Sequence, residues 1–175
     1  MKKITEGKKV YMTKELKEKI LRALSKNAKV NLDELSVMLG VEKDELTTAI
    51  AEMEADKIIC GYPTLIDWDK VSDEKVTALI EVKVTPQRGQ GFDNIAERIY
   101  KFDEVESVYL MSGGFDLTVI IRGKSMREVS RFVFEKLAPM ESILSTATHF
   151  VLKKYKDQGL VMQFESDDLR IQMLY

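Results

Sequence analysis

The residues best equipped for chemistry are few and scattered. Between Met111 and Leu117 the chain reads Ser112-Gly113-Gly114-Phe115-Asp116. Two glycines leave backbone N–H groups open to close approach by a carboxylate. A carboxylate two residues further on can hold an ammonium through a charge-assisted hydrogen bond. The same residues also make an ordinary hairpin turn with an aspartate beside it. Thr146 and Thr148 offer two hydroxyls on a strand pattern, and threonine is equally a normal strand residue. His149 has no second His or Cys at ligand spacing, so neither a metal nor a catalytic role is expected for it. Cys60, the single cysteine, is expected to pack as a small hydrophobe. Tyr62 and Trp68 read as packing between domains, and Lys153-Lys154-Tyr155-Lys156 as a solvated strand end or a contact for an anion or a DNA backbone. The chain offers no nucleophile with a base partner, no metal cluster and no phosphate-cradling glycine loop. An enzyme, a cofactor and a metal are therefore not expected.

The Gly113 turn is held by residues 105–122, two runs rich in β-branched and aromatic residues that read as a central hairpin. Strand alternation sends Phe115, Leu117, Val119 and Ile121 one way and Asp116, Thr118, Ile120 and Arg122 the other. Before it, Val76, Ala78, Ile80, Val82 and Val84 alternate as a half-buried strand that Pro86 ends, and Phe92, Ile95, Ala96, Ile99 and Phe102 fall at helical spacing. After it, Ser125 caps a helix with Met126, Val129, Phe132, Val133 and Leu137 toward the sheet, and residues 143–152 form a fourth strand. The order βαββαβ is the ferredoxin-like unit, with both helices on one face of an antiparallel sheet. The other face, with Leu79, Tyr109, Met111, Ile120 and Phe150 as candidates, is then bare. An apolar face of that size is normally an interface, and a homodimer through it is expected. The tail carries an extra strand at residues 160–164 and then turns acidic.

The first third is helical. Thr13 caps a helix with Leu16, Ile20, Leu21 and Leu24 inward, and Asn31 opens a second with Leu32, Leu35, Met38 and Leu39 inward, stopped by Gly40. Leu46, Ala49, Ile50 and Met53 make the stripe of a third helix over residues 43–56. Three short helices with a glycine turn between the last two read as helix-turn-helix, and Ile58 to Trp68, interrupted by Pro63, as an edge strand or a wing and linker. The expected organisation is α+β: a winged helix-turn-helix over residues 1–66, a linker at 67–73, a ferredoxin-like domain over 74–157, and an extension at 158–175.

Composition sets the outer limits. With 45% hydrophobic residues in 175, the chain can bury one ordinary core or two small ones. No apolar run approaches the roughly 18–20 residues a membrane helix needs, and the Met-Lys-Lys start lacks a secretory apolar segment. A cytoplasmic protein without a membrane partner is expected. Formal net charge is only −2, so no nucleic-acid footprint stands out at whole-chain level.

The N-terminal residues Ile20-Leu21, Asp33-Glu34-Leu35 and the run from Met53 to Tyr62, the turn Gly113-Gly114-Phe115-Asp116 and the strand Leu144-Ser145-Thr146-Ala147-Thr148 together resemble the Lrp/AsnC, or feast/famine, family over residues 13–157. The resemblance implies a transcriptional regulator that binds double-stranded DNA through the third helix. It also implies a C-terminal domain that forms homodimers, often octamers, and binds a small-molecule effector, an amino acid. On that reading Gly113, Gly114, Asp116, Thr146 and Thr148 contribute to an amino-acid site shared between subunits.

In one respect the sequence departs from the family. Its third helix usually starts at a serine cap and carries arginines, whereas here Glu42 stands at the cap and no basic residue occurs between Lys43 and Lys57. A helix facing duplex phosphates should not present Glu45 and Glu52 to them. Lys43 and Lys57, with Lys8, Lys9, Lys26 and Lys29 on one side, would supply the charge, and Thr47 and Thr48 would offer hydroxyls to phosphates and methyls to thymine. The alternative reading is an amino-acid-binding or assembly protein of the same fold with little affinity for DNA.

Overall fold

The computed structural model describes residues 13–71, 75–85 and 91–162. The chain divides into two compact units, the first ending at Thr64 and the second beginning at Leu65.

In the first unit, α1 (Lys14–Lys26) starts where Thr13 stays extended and its Oγ1 accepts the Leu16 N–H at 3.2 Å. That bond satisfies one of the amides that a first helical turn leaves open. Asn31 does the same for α2 (Leu32–Leu39), accepting the Asp33 N–H at 2.9 Å. Gly40 closes α2 in the left-handed region at φ 66°, where glycine carries no steric penalty. Two residues later α3 (Lys43–Ala55) begins. Ile20, Leu35, Leu46, Ala49 and Met53 are each at most 2% exposed and form one core. Helices this short are marginal alone, and the burial of these side chains is what stabilises them.

The inward face of α2 differs from expectation at one position. Met38 is 79% exposed, and Ser36, 7% exposed, takes the inward place. Ser36 tolerates burial because its hydroxyl donates to the Asp33 carbonyl at 2.8 Å. Cys60, expected to pack, is exposed, with its Sγ 3.2 Å from the Lys57 carbonyl. Among the described residues, 58–67 carry no strand, so the stretch expected as an edge strand or a wing and linker is a segment without a ladder. Tyr62 does not need the second unit as a partner: its hydroxyl donates to Glu54 at 2.6 Å.

The second unit carries β1 (Val76–Val84), α4 (Asp93–Tyr100), β2 (Val105–Leu110), β3 (Leu117–Gly123), α5 (Met126–Phe132) and β4 (Ile143–Phe150). The sheet is antiparallel in the order β2-β3-β1-β4. This is the expected βαββαβ arrangement, except that the hairpin is not central. β3 is an inner strand, whereas β2 lies at an edge.

Register decides the faces. Ala78 stands opposite Ile121, Ile80 opposite Val119 and Val82 opposite Leu117; all six are buried in the main core with Ile95 and Ile99 of α4 and Val129 and Phe132 of α5. Phe150, expected on the bare face, pairs with Ala78 and packs against this core instead. Leu79 opposite Ile120 and Tyr109 opposite Thr118 hold the other face. There Leu79 and Ile120 are half-buried, while Tyr109 is 52% and Met111 42% exposed.

Past Phe132 the α5 axis continues as a π-helical turn, Val133–Leu137, in which the Ala138 N–H reaches back five residues to Val133 at 2.8 Å. Leu137 is fully buried, whereas Met126, expected inward, is 54% exposed. After β4, β5 (Lys156–Asp157) and β6 (Leu160–Val161) form a small hairpin through Gln158 and Gly159, both at positive φ. The rest of the strand expected to reach Phe164 lies outside the described residues. No helix among them is long and apolar enough to cross a membrane.

Lys136, on the π-helical turn, joins the layers. Its Nζ lies 2.5 Å from Glu104 Oε1 and 5.1 and 5.6 Å from the ring centroids of Phe102 and Phe132. The two rings meet edge to face at 5.6 Å. The hydrogen bond from Lys136 is the main reason the Glu104 carboxyl sits below its ordinary value.

Lys57 holds φ 59° just past α3, a conformation that costs a non-glycine residue about 1–2 kcal/mol. Lys57→Gly, after the added freedom of the unfolded glycine is subtracted, should stabilise the first unit by about 0.5–1 kcal/mol, seen as slower amide exchange at Leu46 and Ala49. Glu104 makes stability depend on pH: its folded pKa is depressed, so the unfolded chain binds more protons, and the stabilisation is complete above the ordinary glutamate range and is lost as pH falls through the folded value. Urea midpoints of Glu104→Gln and the parent should therefore differ at pH 7 and converge at pH 2–3.

Candidate functional site

The α2-turn-α3 segment presents the outer surface of α3 to solvent. Leu46, Ala49 and Met53 face the core, which leaves Lys43, Asp44, Thr47, Thr48, Ala51 and Glu52 exposed. The turn is fixed by backbone bonds: the Gly40 N–H reaches the Ser36 and Val37 carbonyls, and the Val41 N–H reaches Ser36 at 3.1 Å. Glu42 stands at the N-cap with no side-chain bond to the helix, and Asp44 and Glu45 occupy the first turn. Those carboxylates favour the helix dipole while opposing an anionic partner at the same end.

The four residues expected to meet DNA are all exposed, but three are engaged within the unit. Lys43 Nζ lies 2.7 and 2.9 Å from the two carboxylate oxygens of Asp33, tying the start of α3 to the first turn of α2. Thr47 donates its hydroxyl to the Lys43 carbonyl at 2.9 Å, and Thr48 to Asp44 at 2.8 Å. With the protons directed back into the helix, each threonine offers a methyl and a lone pair, but no donor for a phosphate. Lys57 lies beyond the helix end, where the Ile58 and Ile59 amides both bond to Met53. Lys8 and Lys9 lie outside the described residues.

In the second unit the turn spans Met111 to Asp116. Gly113 has φ 157°, a value that L side chains rarely adopt, and a Cβ added at Gly113 or Gly114 would meet nothing within 4 Å. The turn is therefore open to solvent. Asp116 is more constrained. Its Oδ2 accepts the Val84 N–H at 2.9 Å, its own N–H bonds to Val82 at 3.0 Å, and its carbonyl accepts the Met111 N–H at 2.8 Å. The carboxylate closes the end of β1 where the β1-β4 register shifts between Lys83 and Val84. Thr146 and Thr148 sit on β4 opposite Val82 and Ile80, half-buried on the helix-side face. β1 separates them from β3, so one chain does not bring these threonines onto the Gly113 turn.

Sequence reasoning missed two groupings. Trp68 lies under Lys75 Nζ at 3.2 Å from its ring centroid, with Arg122 Cζ at 5.8 Å, so it is fastened within the second unit. Lys75 also stands beside Lys153 and Lys154, since β1 and β4 run antiparallel and bring the start of one to the end of the other. The lysine run was visible in the sequence, but its third member became a neighbour only through strand pairing. His149 Nε2 lies 3.4 Å from Glu81 Oε1 across the sheet.

Residues 77–161 match the Lrp/AsnC ligand binding domain. The chain is 52% identical over 158 residues to the uncharacterized HTH-type transcriptional regulator YugG of Bacillus subtilis, covering 90% of this chain and 95% of that protein. It is 26% identical over 142 residues to a proline dehydrogenase transcriptional activator of Rhizobium radiobacter, covering 81% of this chain and 90% of that one. Its fold is similar to a Neisseria meningitidis transcriptional regulator solved with L-Met, at TM-score 0.65 and 23% identity over 81% of this chain and 90% of that one. It is also similar to AsnC of E. coli, at TM-score 0.63 and 22% identity over 82% and 95%. With a ferredoxin-like unit of the matching domain, a helix-turn-helix ahead of it, and an HTH-type regulator more than half identical along nearly the whole length, the chain belongs to the Lrp/AsnC family of transcriptional regulators.

Proposed function

We propose that the protein is a cytoplasmic DNA-binding regulator that reads duplex DNA with α3 and senses an amino acid with its second unit. The observation that carries the DNA reading is the exposed outer face of α3, with Thr47, Thr48 and Ala51 between Lys43 and Lys57. A duplex carries about one negative charge per 1.7 Å, so Asp44 and Glu52 are an electrostatic handicap. Methyl groups of Thr47, Thr48 and Ala51 suit contact with thymine methyls, and Lys43 reaches phosphate once it leaves Asp33. A homodimer or larger assembly, formed through the face that carries Leu79, Ile120 and Tyr109, would add affinity by effective concentration.

The amino-acid site is assigned to the Gly113 turn of one copy, completed by a second copy. Open backbone at Gly113 and Gly114 admits the ligand carboxylate, and Asp116, Thr146 and Thr148 supply polar partners. That the similar Neisseria regulator was solved with L-Met supports this choice. Binding would regulate DNA affinity only by favouring one arrangement of the assembly over another. A second reading, an amino-acid-binding assembly protein with little DNA affinity, draws on the Lys43–Asp33 bond and the back-bonded threonines.

Fluorescence anisotropy with the protein's own upstream DNA and a random duplex, over a salt series, separates the two. The regulator should prefer its own DNA and weaken with salt, and Asp33→Asn, which releases Lys43, should tighten binding severalfold. Equal, feeble binding to both duplexes, unchanged by Asp33→Asn, would favour the second reading. For the effector site, Gly114→Ala should leave stability within about 0.5 kcal/mol and weaken L-methionine binding in calorimetry. Asp116→Ala should instead lower unfolding stability by about 1.5–3 kcal/mol, with or without ligand, because the Val84 amide loses a charged acceptor.

A further inference from the structure

The open face of the sheet holds a carboxylate near its middle. Two cross-strand rows cross that face: Tyr109, Thr118, Glu81 and Ala147 in one, and Ser107, Ile120, Leu79 and His149 in the next. β1 is an inner strand, so Glu81 stands away from the rim. It is already half-buried in one chain, and its neighbour Thr118 is buried. Taking a carboxylate further from water is unfavourable unless an opposite charge replaces the lost solvent. Few cations on this face are placed to do so. Arg122, toward the far end of β3, is held by Glu106 at 3.0 Å, and Lys75, before β1, lies over the Trp68 ring. Lys83, two residues along β1, is exposed and stands opposite Ser145. The group that meets Glu81 is His149, whose Nε2 lies 3.4 Å from Oε1 on a diagonal between β1 and β4. His149 is the single histidine of the chain, and an imidazole carries charge only when protonated.

Given the homodimer proposed above through this face, we infer that its formation takes up protons: each copy binds one as Glu81 and His149 are covered, so the dimer tightens as pH falls toward 6 and loosens as pH rises. In a two-fold contact the face meets its own copy, which brings two Glu81 carboxylates into one interface. With its proton, the Glu81–His149 pair enters that interface as a neutral unit. Without it, each copy buries an uncompensated carboxylate. Covering the pair therefore favours the imidazolium, and protons bind more strongly to the dimer than to the free chain. By linkage, the gain is complete below the range in which the free chain titrates and is lost as pH rises through the range of the dimer. Because assembly is what brings two α3 helices to one duplex, DNA affinity falls with it.

Fluorescence-detected sedimentation of the full-length protein, labelled at the exposed Cys60, measures the dimer dissociation constant by dilution at a series of pH values. For a dimer too tight to dilute apart, the rate of exchange between labelled and unlabelled chains reads the same dependence. Between about pH 6 and about pH 8 the constant should rise by about 10- to 100-fold, as two protons leave each dimer. His149→Gln, which still donates a hydrogen bond but does not titrate, should hold the constant flat near the value the parent shows at high pH. Glu81→Gln should reverse the slope, because the dimer then buries an imidazolium with no carboxylate beside it at low pH. That reversal separates proton linkage from a merely structural role for the pair. A dimer whose constant ignores pH, a slope that survives His149→Gln, or a Glu81→Gln slope of the same sign as the parent's overturns the proton linkage and leaves the homodimer standing. A chain that stays monomeric at every pH overturns the homodimer, and the linkage with it.

Discussion

The structure of the second unit depends on the pairing of β1 with two strands at once. Because side chains alternate along a strand, a slip of one residue on either side of β1 would send Ala78, Ile80, Val82 and Val84 to the open face and Leu79 and Glu81 into the helices. The observed register, Ile80 opposite both Val119 and Thr148, rules this out by burying an apolar row on one face. Both ends of β1 then become places where the ladder stops. At one end Asp116 supplies the acceptor for the Val84 amide that backbone no longer provides. At the other, the Val151 N–H bonds to the Thr77 carbonyl and the chain leaves the sheet, opening the cleft beside Lys75. The contact Asp116 makes with β1 is thus a consequence of where that strand runs out of backbone partners.

What could be read from the sequence was whatever depended on local chemistry. Thr13, Asn31 and Ser125 cap helices because a short polar side chain can reach an orphan amide, and each was identifiable from the apolar stripe that follows it. The βαββαβ order followed in the same way from alternation and punctuation. What escaped depended on partners distant in sequence. Phe150 looked like an open-face residue until pairing with Ala78 placed it on the core. Met38 satisfied a helical stripe as well as Ser36 did, and only the packing of α2 on α3 selects the smaller side chain. The role of Asp116 was half legible. Its turn could be seen, but the amide it binds lies 32 residues away.

The π-helical turn is a further case of tertiary demand overriding local pattern. Phe132 and Leu137 are both buried, five residues apart, a spacing a regular α-helix would not place on one line. One wider turn brings both onto the sheet and leaves Phe134 75% exposed. It also sets Lys136 over the edge-to-face pair of Phe102 and Phe132, where Glu104 meets it. A cation half-buried against two rings and one carboxylate is held by geometry rather than by charge alone, since an exposed ion pair contributes little.

The charge on α3 is best understood through the two duties of its first turn. A short helix gains from carboxylates at its N-terminus, and Asp44 and Glu45 provide them. A helix that meets a duplex loses by them. In this chain the balance leans toward the helix: Asp33 holds Lys43, and both threonine hydroxyls are turned onto carbonyls of that same turn. The first unit is therefore organised so that α3 is internally satisfied when free. A DNA contact made by Lys43 would have to replace the Lys43–Asp33 bond, and because that bond is exposed its loss would be small, of the order of 0–1 kcal/mol. For a duplex meeting this face of α3, releasing Lys43 would matter less than the carboxylates of Asp44 and Glu52, which remain at the surface whether or not Lys43 is free.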